Sequence, residues 1–509
     1  MNLPVLQLDG KSLGLNDLRA FDANSVSVAL AGKARQKMQT SVECVRKVID
    51  KKQICYGINT GFGALAGKRI EPEQVRDLQY NLVRSHACGV GEPLSDKLVC
   101  RVIILKANSL AMGYSGIRPE IVDTLLALLN ANILPVIPGK GSVGASGDLA
   151  PLAHLALALI GEGEARKDGR LLKGKDVLAA ADLEPVELQA KEGLALLNGT
   201  QLSAALAIEG LFRSETLLAS SIVSGALSTE GLAGSYSPFD ARMQEVRNLT
   251  GQQDVAAAFR SLLTESAIHS SHGDCNRVQD PYSLRCMPQV LGAVRDTLHH
   301  ASSQLARECN SVTDNPLIFD ERVISGGNFH AEALAFVADF MTIAVCEIAN
   351  IAERRIDLLL RMVNPGLQMF LAANPGVESG FMIAHVSAAA LCSENKTLAH
   401  PASVDTVPTS AGQEDHVSMA PWAGHKLLQV TENTAQILGI ELMVAAAAID
   451  AQAPLATTPE LNKVLTRVRK TVEPQAADRR LDKEMAAIKQ ELLRGDFAKL
   501  LPGNNPLQF

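Results

Sequence analysis

Apolar residues return at helical spacing over unusually long stretches of this 509-residue chain. Between Phe329 and Asn364 there is neither glycine nor proline, and Val337, Phe340, Ala344, Ile348 and Ile351 recur every three or four residues. Glu332, Asp339, Glu347 and Glu353 lie among them. The pattern predicts one helix of about 35 residues, roughly 50 Å at 1.5 Å per residue, stopped by Asn364-Pro365-Gly366. Similar patterns cover about 282–311, 194–227, 384–398 and 424–451, which together predict a central bundle. The first 150 residues differ, mixing short apolar runs with the Gly-rich turns Tyr56–Gly63, Gly89–Gly91 and Gly139–Gly147. Loops of that kind hold functional groups on a rigid scaffold. Strand-type alternation is rare, so only short hairpins are expected. The predicted fold is mainly α: a mixed region over 1–190 carrying the Gly-rich loops, a long-helix bundle over 191–451, and peripheral, more charged helices over 452–509.

Composition sharpens this picture. The chain is 47% hydrophobic but only 4% aromatic, so its core is aliphatic and suits helices packed closely through small side chains. Its net charge of −7 comes with no dense basic run, which argues against a nucleic-acid surface. The segment Met1–Lys11 lacks the basic start of a signal peptide, and no uninterrupted apolar run has the length of about 18 residues that a membrane span needs. Nine scattered cysteines without a C-x-x-C point to a reducing, cytoplasmic setting.

Three motifs invite chemical readings and do not sustain them. Residues 139–144 match G-x-G-x-x-G, but Pro135 and Pro138 interrupt the preceding strand and no helix opens directly afterwards, so no nucleotide is expected. His269, His272 and Cys275 have ligand-like spacing, with Asp274 between them, but there is no second ligand pair; no metal is predicted. His299-His300 reads as a helix face.

The segment Gly141–Leu152 (GSVGASGDLAPL) is different. If the chain bends tightly, the amide nitrogen of Gly147 can attack the carbonyl carbon of Ala145, and glycine suits this because a Cβ would obstruct the approach. Loss of water closes a five-membered imidazolone ring. A second dehydration converts the Ser146 side chain into an exocyclic methylidene, a strong electrophile. The segment resembles the prosthetic-group signature of the aromatic amino acid ammonia-lyases, which make 4-methylidene-imidazol-5-one (MIO) from Ala-Ser-Gly. Tyr56–Gly63, Leu196–Gln201, Val278–Cys286, Asp314–Pro316, Ser325–Glu332, Ser393–Lys396 and Gln413–Met419 stand in that family's order and spacing over nearly the whole chain. The resemblance implies the fumarase/aspartase-like helical fold and a homotetramer in which each site is shared by three subunits.

Within the family, Ser85-His86 and Glu414 resemble the branch that acts on histidine. The phenylalanine enzymes usually carry an apolar pair and a Gln at these positions, and the tyrosine enzymes a His one residue earlier. An imidazole ring has two nitrogens that need partners, whereas a buried carboxylate facing a phenyl ring would be costly. The implied reaction is loss of ammonia from L-histidine to give trans-urocanate; the alternative is a lyase or aminomutase acting on tyrosine, phenylalanine or another imidazole amino acid. By resemblance, Ala145, Ser146 and Gly147 form the MIO and Asn198 hydrogen-bonds it. Tyr56 and Tyr282 are candidates for proton transfer, and Arg285 for the substrate carboxylate. His86, Gln279, Asn315 and Phe329 belong to the pocket, and Glu414 is either a ring anchor or the base that takes the β-proton. Electrophilic activation occurs through the amine or through the ring, with the amine favoured. Gly412 and Glu378 depart from the histidine branch, where Asn is usual, and put substrate scope in question.

Overall fold

A computed structural model describes residues 3–23, 26–51, 53–61, 63–272, 278–362 and 367–503. Long helices dominate it: Gln201–Gly231, Met287–Glu308, Glu332–Leu359, Met382–Leu398 and Ala420–Asp450. Each expected long helix is present, and its ends differ for local reasons. The longest predicted helix starts at Glu332 rather than Phe329, because the amides of His330 and Ala331 are committed to the carbonyls of Gly327 and Gly144. Its expected stop, Asn364-Pro365-Gly366, lies outside the described residues. The 282–311 stretch is a single turn, Tyr282–Arg285, followed by Met287–Glu308. Pro288, which has no N–H to donate, sits at the second position of the new helix. The 194–227 stretch divides into Glu192–Leu197 and Gln201–Gly231 around Gly199, whose φ of +140° is open only to glycine.

The chain forms two compact units. The first comprises Met1–Glu209, Ser303–Ala338 and Pro401–His425. Among the described residues it contains four small sheets, each of two or three strands. Two of them contain the short hairpins expected, Glu164–Lys167 with Arg170–Lys173 and Leu317–Phe319 with Arg322–Ile324; against that expectation, Val90–Pro93 pairs with the distant Pro138–Lys140, and Val5–Leu8 pairs with Ser27–Leu30 in parallel. The G-x-G-x-x-G stretch begins in the strand Pro138–Lys140 and continues as a loop to the helix Leu149–Leu159.

The second unit comprises Gly210–Ser302, Asp339–His400 and Lys426–Phe509. Its helices approach closely through small residues, as the aliphatic composition implies: a Cβ on Gly210 would lie 2.1 Å from Leu427, and one on Gly231 would lie 3.1 Å from Ala448. Buried polar groups tie the bundle together. Arg355 and Glu441, both fully buried, pair through Nε–Oε1 at 2.5 Å and Nη2–Oε2 at 3.0 Å, and the hydroxyls of Ser224 and Ser228 each donate to Glu441 at 2.7 Å. The helix Glu332–Leu359 has the length and composition to cross a membrane, but 72% of its most apolar window is buried inside the protein.

Candidate active site

The Ala145–Gly147 loop lies on the wall of a cavity of about 850 Å³ in the first unit. Backbone constraints fix its shape. Gly147 has φ +70°, and a Cβ there would fall 2.2 Å from the Gly199 carbonyl oxygen, so no other residue fits. Gly144 has φ +67°, and the Ser418 hydroxyl donates to its carbonyl at 3.0 Å. The amide of Met419 donates to Val143 O at 2.9 Å, which fastens the 410–419 loop beside Ser146.

Ser146 is held from two directions. Its carbonyl accepts a hydrogen bond from Asn198 Nδ2 at 2.8 Å, and its hydroxyl donates to the Glu414 carboxylate. Asn198 occupies the break between the helices Glu192–Leu197 and Gln201–Gly231. Its Oδ1 is buried and has no hydrogen-bond partner. Glu414 also accepts from Thr409 Oγ1 at 2.5 Å across the small bridge that closes its loop.

His86 is the last residue of the helix Val75–His86 and lines the same cavity. Its Nδ1 lies 2.9 Å from Leu82 O, which places the proton on Nδ1 and leaves Nε2 as an acceptor. Burial pushes its pKa below the ordinary histidine value, against smaller raising effects from the Leu82 carbonyl and Glu414. Tyr56 also lines the cavity, and its hydroxyl accepts from the Gly63 amide at 3.4 Å. Asn315 uses Oδ1 to accept from Gly326 N at 2.7 Å, and with Phe329 it forms a further part of the wall.

The structure therefore brings together Tyr56, His86, Ala145, Ser146, Asn198, Asn315, Phe329 and Glu414. Gln279, Tyr282 and Arg285 belong to the second unit and are not among the cavity residues. Gln279 is exposed and Tyr282 is 69% exposed. Arg285 lies 4.6 Å from the centre of the Tyr282 ring and donates from Nε to Asp280 O at 3.0 Å. Of the ligand-like run near 270, His269 and His272 are described, whereas Asp274 and Cys275 lie outside the described residues.

Gly412 has φ +83° in the loop leading to Glu414, with open space where a Cβ would project. Glu378 lies in the second unit, where its carboxylate accepts from the Asn374 amide at 3.0 Å. Two features escaped the sequence reading. His330, Glu332 and His416 bring one potential ligand atom each within 4.8 Å of one another. His330 and Glu332 are two positions apart, but His416 lies more than 80 positions further on, so no local spacing signals the set. Lys106, fully buried, donates to the backbone carbonyl of Asn198 at 2.6 Å.

Residues 13–470 match the aromatic amino acid lyase family. A histidine ammonia-lyase from Paracidovorax citrulli is 52% identical over 489 residues, covering 96% of each chain. Among solved structures, histidine ammonia-lyase from Trypanosoma cruzi is similar with a TM-score of 0.89 at 39% identity, covering 98% of this chain and 95% of that one. Tyrosine aminomutase from Streptomyces globisporus has a TM-score of 0.92 at 36% identity, covering 98% of both chains. With a family match over most of its length and 52% identity to a relative over 96% of the chain, the chain belongs to the aromatic amino acid lyase family.

Proposed function

We propose that the protein removes ammonia from L-histidine to give trans-urocanate, using a MIO group formed from Ala145, Ser146 and Gly147. The observation that carries this reading is the treatment of Ser146: an amide donor on its carbonyl, a carboxylate on its hydroxyl, and His86 on the same cavity wall. The constrained Gly147 and the buried, unpartnered Oδ1 of Asn198 suit a loop that closes into a ring. Once formed, that ring supplies an electrophilic methylidene carbon that activates the amino acid for loss of its amino group.

The chain's own side chains do the rest. Asn198 polarises the Ser146 carbonyl in the manner of an oxyanion donor. Neutral His86, with Nε2 turned to accept, binds the N–H of the substrate imidazole, and Glu414 either anchors the other ring nitrogen or holds the β-proton. Tyr56 is placed to move a proton at the cavity wall. Gln279, Tyr282 and Arg285 are assigned to the site of a neighbouring copy in a homotetramer, where Arg285 clamps the substrate carboxylate. Their absence from the lining of the cavity in the first unit supports that assignment, as do the exposed apolar side chains Phe340, Ile343, Ile383 and Val386 on helices of the second unit. Eight described cysteines, all free thiols, suit a cytoplasmic protein.

A tyrosine aminomutase shares the fold at least as well as a histidine ammonia-lyase does, so backbone similarity does not choose between the two substrates. His86 and Glu414 on the cavity wall favour histidine. The test is the rise of urocanate absorbance with L-histidine, run beside L-tyrosine and L-phenylalanine. Urocanate from histidine alone is the expected result; turnover of tyrosine or phenylalanine without urocanate would replace this reading with the aminomutase or another lyase.

A further inference from the structure

Lys106 presents a physical problem. It lies in the helix Asp96–Ala111, is 1% exposed, and among the described residues its ammonium makes no ion pair; its partner is the carbonyl oxygen of Asn198 at 2.6 Å. A buried cation without a paired anion destabilises a fold, and an apolar residue of similar length would serve packing better. Lys191, also fully buried, shows the contrast: its ammonium pairs with Asp314 at 2.8 Å. Core stability therefore does not explain the presence of Lys106.

Its contact does. Asn198 and Gly199 form the break that faces the Ala145–Gly147 loop, and consecutive carbonyls of that break are pinned. Asn198 O accepts from Lys106, and Gly199 O accepts from Asp148 N at 2.7 Å. Gly147 and Gly199 are bridge partners, with no room for a Cβ between them. The Asn198 carboxamide then reaches Ser146 O at 2.8 Å. We propose that Lys106 is a positioning residue for the prosthetic loop, holding the Asn198 peptide so that its side-chain amide polarises the Ser146 carbonyl both while the ring forms and during turnover. The inference rests on the ring-forming reading of this loop.

The chemistry shows where that donor matters. Ring closure joins Gly147 N to Ala145 C, and the Ala145 oxygen leaves as water with the amide protons of Gly147 and Ser146. The second water takes the Ser146 hydroxyl and the proton on Ser146 Cα. That carbon becomes acidic only as far as its neighbouring carbonyl is polarised, and Asn198 Nδ2 is the donor on that carbonyl. Burial pushes the Lys106 pKa down to about 7, with Asp314 and Asp148 opposing the shift and Lys191 adding to it. The charge-assisted bond is therefore strongest below neutrality and weakens as the pH rises through that range.

The test compares wild type with Lys106→Met and Lys106→Gln by intact-protein mass, thermal unfolding and kinetics with L-histidine. The Met variant should fold, show a fraction of molecules retaining the full unprocessed mass, and lose about tenfold in kcat per processed site at unchanged KM, less than a direct oxyanion donor costs. The Gln variant, which keeps an N–H donor, should recover most of both losses. Complete processing with wild-type kcat in the Met variant would overturn the inference. So would loss of fold in both variants, which would make Lys106 a stability residue. If wild type itself keeps its full mass, the ring-forming reading fails; if wild type and variants are processed alike and turn over alike, only the role of Lys106 fails.

Discussion

Two buried polar clusters show opposite ways of placing charge inside this protein. In the second unit, Arg355 and Glu441 pair twice and two serines complete the carboxylate, so the Glu441 charge is met from every side. In the first unit, behind the Ala145–Gly147 loop, Lys106 has a carbonyl rather than a carboxylate. Asp148 there is met by Ser142 and Ser203 rather than by a cation, and burial raises its pKa. The first arrangement holds helices in register. The second holds a loop in a constrained shape, which is useful where a backbone must react rather than merely pack.

That difference is open to direct attack. Glu441→Leu should cost about 3–5 kcal/mol of stability by leaving Arg355 buried without its partner, and denaturant melts would register it while kcat per folded site stays near wild type. Asn198→Ala should do the reverse, lowering kcat by about 10²–10³-fold, the cost of an oxyanion donor, with a smaller change in unfolding. If the two variants behaved alike, the contrast between a structural and a chemical cluster would collapse.

Arg285→Lys should raise KM for histidine by about tenfold or more, since a point charge replaces the bidentate fork, with little effect on the melting temperature. Mixing this variant with Ser146→Ala sharpens the point: hybrid tetramers should regain some activity if sites are shared between copies. The smallest expected effect concerns pH. Because burial holds His86 below the ordinary histidine pKa, it stays neutral at neutrality and protonates only as the pH falls below that range. Protonation turns the Nε2 acceptor into a donor, so KM should rise on the acid side. His86→Gln should flatten that limb of the profile relative to wild type, and the difference between the two profiles cancels the titration of the substrate itself.

Helical periodicity made the long helices legible, because a 3.6-residue repeat over thirty residues leaves few alternatives. It could not show the break at Asn198-Gly199, since Leu194–Leu227 keeps its apolar rhythm through it. The cavity residues Tyr56, His86, Ser146 and Glu414 were legible from short motifs, but their convergence was not: Ser146 and Glu414 are 268 positions apart and meet in one hydrogen bond. Lys106 left no mark in the sequence at all. A lysine within an apolar run reads as a residue reaching towards solvent, and only tertiary burial shows that it ends on a backbone carbonyl.

The claim on which everything else depends is that Ala145, Ser146 and Gly147 become a covalent electrophile. Intact-protein mass tests it most directly. Wild type should weigh two water molecules less than its sequence, and Ser146→Ala should lose the ring and, with it, activity by on the order of 10⁴-fold, the scale of removing a central catalytic group. A wild-type protein at its full unprocessed mass that still releases urocanate from histidine would contradict the account.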